Sequence, residues 1–170
     1  MATTPGGLPY PVGTDHVVDG DDAIKALALG VENKKRPSGR LRMTVLTGGY
    51  AQSTWNTVPF DSEAWLFGGI SGALHRVGST YVIDKAGLFL ASATISGSAS
   101  AYLARVIASG QLIAAGAAGA AQEFTVTGIM WLAAGQAVSA QVFPTTAGFQ
   151  TPADTPARPV CLDVEALDYV

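Results

Sequence analysis

The sequence predicts an all-β protein, an antiparallel sandwich or barrel preceded by an extended arm and a short helix. Three observations carry this. From residue 41 onward, short apolar-rich segments are separated by Gly, Ser, Pro or Asn, with no helical period between them. Val160, Leu162 and Val164 alternate with Cys161, Asp163 and Glu165, the two-residue period of a half-buried strand. In the uncharged run 86–104, Ser92, Thr94, Ser96, Ser98 and Ser100 fall on every second position, which gives a strand one hydroxyl-bearing face. That run is long enough for a membrane helix, but its period is that of a strand, so no membrane insertion is expected.

Residues 1–22 form the predicted arm. Pro5, Pro9 and Pro11 with their neighbouring glycines prevent a helix or sheet from propagating around Tyr10. Fully stretched, the arm reaches on the order of 70 Å, far enough to lie across a neighbouring subunit. Residues 23–40 are read as a short helix and a basic linker. Asp22 can cap a helix over Ala23–Val31, with Asp19 and Asp21 near its positive end. Ile24, Leu27 and Val31 share one stripe, and a helix this short needs a packing partner: its own domain or the same helix in symmetry mates. The run 33–42 holds five of the ten basic residues and reads as a solvated linker, with docking to an acidic surface as the alternative.

The head is assigned to residues 41–170. Its expected strands are 41–47, 55–60, 79–83, 87–96, 101–109, 111–115, 123–131, 137–143 and 160–167. Ala91, Ala93, Ala104, Ala108, Ala114 and Ala140 are unusual strand residues, and their small size suggests close approach between sheets of neighbouring subunits. A surface with 14% charged residues would otherwise aggregate.

Ten basic and thirteen acidic residues leave a net charge of −3, which gives no electrostatic reason to bind nucleic acid. The start of the sequence lacks a cationic, apolar leader, so synthesis in a cytoplasm is expected. The single Cys161 permits no intrachain disulfide and no thiolate cage, and reads as a small buried strand residue. No catalytic, cofactor or metal site is expected. Gly69-Ile70-Ser71-Gly72-Ala73 lacks the final glycine of a nucleophile elbow. His16 and His75 have no second ligand at metal spacing, Asp61 and Glu63 lie in a loop without a cleft, and the GAAGAA run at 116–121 matches no phosphate loop. An enzyme of similar fold stays open as a minor alternative. Trp55, Trp65 and Tyr102 are the candidate receptor-facing aromatics, with core or subunit-contact roles as the plainer reading.

Two stretches resemble known families. YVIDKAGLFLASATISG at 81–97 resembles the signature strand of complement-type, tumour-necrosis-factor-like (TNF-like) jelly-roll heads, and WLAAGQAVSAQV at 131–142 resembles their later turn and strand. Leu132, Gly135 and Val138 stand in the expected places, with Gln136 where Asp is usual. Ser109-Gly110 represents the intervening turn. The resemblance implies a jelly-roll sandwich forming a homotrimer used for recognition or scaffolding. GLPYPVGTD with VVDGDDAIKALA resembles the opening of virion fibre and minor tail proteins of actinobacterial phages. It implies a virion surface protein made in the bacterial cytoplasm and held by its arm to other virion proteins, with Leu8, Pro9, Tyr10 and Pro11 as the docking residues. The expected location is the tail, with a host-surface glycan or protein as partner. The alternative is a capsid decoration knob whose arm clamps capsomers.

Overall fold

The computed structural model describes residues 2–3, 9–10, 37–67, 72–98, 102–118 and 123–169. The chain separates into two compact units, Met1–Lys35 and Arg36–Val170. In the first, β1 (Ala2–Thr3) pairs antiparallel with β2 (Pro9–Tyr10), Ala2 opposite Tyr10. The start of the predicted arm thus folds back on itself. A Pro-Gly-Gly sequence, strong turn chemistry, lies between the two short strands. Leu8, Pro11 and the stripe Ile24, Leu27 and Val31 lie outside the described residues.

The second unit is all-β among the described residues. Its strands are β3 (Ser38–Arg42), β4 (Asn56–Thr57), β5 (Ser62–Phe67), β6 (Leu74–Val77), β7 (Thr80–Ile83) and β8 (Gly87–Ser96). They continue as β9 (Tyr102–Ala108), β10 (Gln111–Ala118), β11 (Glu123–Leu132), β12 (Ala137–Pro144) and β13 (Cys161–Tyr169). The pairings between these strands are antiparallel. The first sheet runs β11-β8-β13-β3-β5 and the second β10-β9-β12-β7-β6, with β4 also on β12. Strands adjacent in space are mostly distant in sequence, the wrapped order of a jelly roll. The run 86–104 is divided between β8 and β9, and no helix among the described residues is long and apolar enough to cross a membrane.

Alternation decides which side chains enter the core. In β8, Phe89, Ala91, Ala93 and Ile95 face inward while Leu88, Leu90, Ser92 and Thr94 face outward. In β9 the inward set is Tyr102, Ala104, Val106 and Ala108. The small strand residues are therefore placed differently from the expectation. Ala91, Ala93, Ala104, Ala108 and Ala140 are fully buried between the two sheets of one subunit, where they offset Tyr81, Tyr102, Phe60, Phe89 and Phe149. Alternating small and large side chains fills a sandwich at native density without forcing rotamers. Of the expected set, Ala114 alone is partly buried.

Three strand expectations are corrected. β3 begins at Ser38, inside the supposed linker, because Arg40 has a partner on the neighbouring β13: Asp163 lies opposite it and takes two of its N–H groups. The expected strand over 55–60 shortens to Asn56–Thr57. β5 and β6, absent from the expectation, are short outer strands of the two sheets. The β9–β10 turn is Ser109-Gly110, both at positive φ (47° and 88°), the two-residue hairpin geometry that matches strand twist.

Candidate functional site

The predicted aromatics do not converge. Trp55 precedes β4 and joins the second sheet, where its ring lies 5.4 Å from that of Phe143 on β12. The guanidinium of Arg105, on β9, sits over Trp55 with Cζ 4.0 Å from the ring centroid. Arg105 Nε donates to Gln141 Oε1 at 2.8 Å, and Gln141 Nε2 donates to Thr57 Oγ1 at 3.3 Å. Three strands paired side by side therefore fix one half-buried cation against an indole.

Trp65 lies on β5 in the other sheet, with Arg40 Cζ 5.6 Å from its ring. Arg40 and Asp163 form a bidentate pair at 2.6 and 2.9 Å. Together with Ser38, Leu90, Ser92 and Glu165 they line an open recess of about 210 Å³ on the outward face of the first sheet. Its cation is already neutralised by its own carboxylate.

Tyr102, the third candidate, is not receptor-facing. It is 1% exposed, its hydroxyl donates to the Ile95 carbonyl, and its ring packs 5.0 Å from Phe149. The alternation Tyr102, Ala104, Val106, Ala108 points all four to the core, a signal already present in the sequence. Asp61 and Glu63 also have structural partners: Asp61 accepts from Thr44 N and Oγ1, both at 2.8 Å, and Glu63 accepts from the Tyr81 hydroxyl at 2.9 Å. His75 Nδ1 lies 2.7 Å from Asp84 Oδ1 on the surface. Cys161 is buried, and desolvation pushes its thiol up to about 11. No group of three potential metal ligands occurs among the described residues.

On the same outward face, the part formed by Leu88–Thr94 of β8 and Thr125–Trp131 of β11 carries no charge. Ser92 and Thr127 pair at 2.8 Å, and Thr94 and Thr125 at 2.9 Å. Beside this hydroxyl ladder stand Leu88, Leu90, Ile129 and Trp131. Ile129 is 58% exposed and Trp131 56% in the single chain. Alternation with Ser92 and Thr127 already puts Leu90 and Ile129 on the outward side, but that they stand side by side follows only from the β8–β11 register.

Two sheets in this strand order form a TNF-like jelly roll. Murine APRIL superposes with a TM-score of 0.59 at 15% identity, over 78% of this chain and all of that one. Eiger TNF from S. frugiperda gives 0.52 at 9% identity over 79% and 94% of the two chains, and rabbit GITRL 0.51 at 8% over 79% and 96%. At these identities the likeness is one of fold. No family model and no curated protein matches the sequence.

Proposed function

We propose that this chain is a homotrimeric phage virion surface protein, tail-associated and contributing to host attachment, with the TNF-like domain as its head. The observation that carries the trimer is the outward face of the first sheet. Its hydroxyl pairs satisfy one another, its bidentate ion pair is internal, and Leu88, Leu90, Ile129 and Trp131 form an apolar area of the kind that marks contact surfaces. The resemblance of residues 7–15 and 17–28 to actinobacteriophage fibre and tail openings supports the virion setting, and the head supplies binding surface rather than a reaction centre. The bidentate Arg40–Asp163 pair, the Tyr81–Glu63 bond and the Thr44–Asp61 bonds each use a polar group structurally.

Light scattering of the purified protein is expected to give three times 17.4 kDa. A mass of one chain would end the trimer reading. Antibody labelling of intact phage particles is expected on tails. Labelling of heads would replace the attachment role with capsid decoration, and no labelling of particles would remove the virion role.

A further inference from the structure

Arg105 is the only charged residue between Lys85 and Glu123 in the sequence. On the second sheet it stands on a face whose other outward side chains are Leu103, Ile107, Leu112, Ala115 and similar neutral residues. The nearest outward ionisable side chain on the described strands of this sheet is His75, whose Nδ1 is in contact with Asp84, on β6. Three strand spacings of about 4.8 Å across the sheet and four residues along it separate them by roughly 20 Å. Among the described residues Arg105 has no carboxylate partner, and the bond from Nε to Gln141 leaves its terminal N–H groups without a described acceptor.

Holding a long side chain in one orientation costs conformational entropy. Here that cost is met by the Trp55 stack and by Gln141, itself held by Thr57. The result is a preorganised, uncompensated guanidinium fork beside two aromatic rings. A planar fork takes a carboxylate through two parallel hydrogen bonds. Beside the fork, the parts of Trp55 and Phe143 left uncovered by Arg105 and by each other, both rings being partly exposed, supply apolar surface against which the C–H face of a sugar ring can lie. One isolated cation suits a ligand with one local negative charge. Nucleic acid or a strongly acidic protein would call for several cations, and none accompanies Arg105 among the described residues of this face.

We propose that Arg105, Trp55, Gln141 and Phe143 form a recognition site for a carboxylate-bearing saccharide. The site rests on the attachment reading and names the chemistry of the ligand. Trp55 is packed beside the ring, Arg105 binds the carboxylate, and Gln141 positions Arg105.

The test uses the full chain against a panel of immobilised oligosaccharides carrying hexuronate, sialic or pyruvylated residues, each beside its carboxyl-reduced counterpart, and against a Glu-rich peptide. At least one carboxylated saccharide is expected to bind, with carboxyl reduction weakening it by roughly tenfold or more. Arg105→Gln is expected to cause a similar loss at unchanged oligomeric mass and melting temperature, Arg105→Lys a smaller one, and Trp55→Ala a loss on both members of a pair. Comparing a sugar with its reduced form leaves the protein unaltered, so this arm does not depend on a variant folding. Equal binding of acidic and reduced forms, wild-type binding by Arg105→Gln, no binding across the panel, or binding of the peptide alone would each overturn the proposal. Acid-selective binding by a protein that does not label particles would end the attachment reading and leave the site standing. Labelled tails with no saccharide binding would do the reverse.

Discussion

Burial makes several weakly acidic side chains of this protein hold their protons beyond the usual pH. Desolvation and then the Glu63 hydrogen bond push Tyr81 well above the ordinary phenol value of 10.0. Desolvation and then Glu123 do the same for Tyr102, and burial raises Tyr50. Cys161 moves from 9.0 to about 11. In each case the folded state keeps a proton that the unfolded chain releases first, so folding stability falls as pH rises past the unfolded value. Urea unfolding is expected to show stability unaffected by these groups well below pH 9.0, a decline beginning there as Cys161 ionises in the unfolded chain, and a steeper decline above pH 10.0 as the tyrosines follow. Tyr81 also explains a neighbouring glycine. A Cβ on Gly39 would overlap the Tyr81 hydroxyl oxygen and lie 2.5 Å from its Cζ, and that ring is fully buried and tied to Glu63. Gly39→Ala is expected to cost about 1–3 kcal/mol by overpacking, measured by chemical denaturation.

At the scale of elements, strands with a long, clean period were legible and short edge strands were not. β8 starts and ends where the sequence places it, because ten residues alternate almost without a break. β6 is four residues, Leu-His-Arg-Val, with a single buried side chain, too short for any period to register. β5 pairs with β3 through a register shift between Arg40 and Leu41 that interrupts its alternation. β3 was hidden in a basic cluster because the sequence does not show that Asp163, far along the chain, neutralises Arg40. Trp55 was legible as a candidate, but its relation to Arg105 exists only through the β4–β12–β9 ladder. Asp163→Asn is expected to destabilise the head by about 1 kcal/mol, kept modest because both partners are partly exposed, and the difference should shrink in about 1 M salt. The β9–β10 hairpin makes a separate demand. Gly110 has φ 88°, and a Cβ added there would meet nothing within 4 Å. Gly110→Ala therefore tests backbone conformation alone, and a loss of about 1–2 kcal/mol is expected in the same denaturation assay.

The head presents two outward sheet faces, which differ in what they lack. The second carries Arg105 stacked on Trp55, while the first carries the bidentate Arg40–Asp163 pair, exposed charges towards its margins at Arg42, Glu123 and Asp168, and between them an apolar and hydroxyl area on β8 and β11. Four inter-strand spacings by the length of the longest strands give that first face on the order of 20 Å by 30 Å, close to the roughly 800 Å² per partner used by specific interfaces. Neutral side chains that satisfy their own hydrogen bonds cost little to desolvate, whereas a new charge among them would lose its water without gaining a partner. Ile129 and Trp131 are the exposed large apolar side chains of this face among the described residues. Ile129→Arg and Trp131→Glu are therefore expected to shift the purified protein from three chains to one in a light-scattering dilution series. Arg105→Gln, on the opposite sheet, should leave the mass unchanged. Both face variants are expected to keep a folded head with a single cooperative urea transition, since neither side chain enters the core. Retention of the trimer by both would place subunit contact on some other surface, and loss of the trimer by Arg105→Gln would place it on the second sheet.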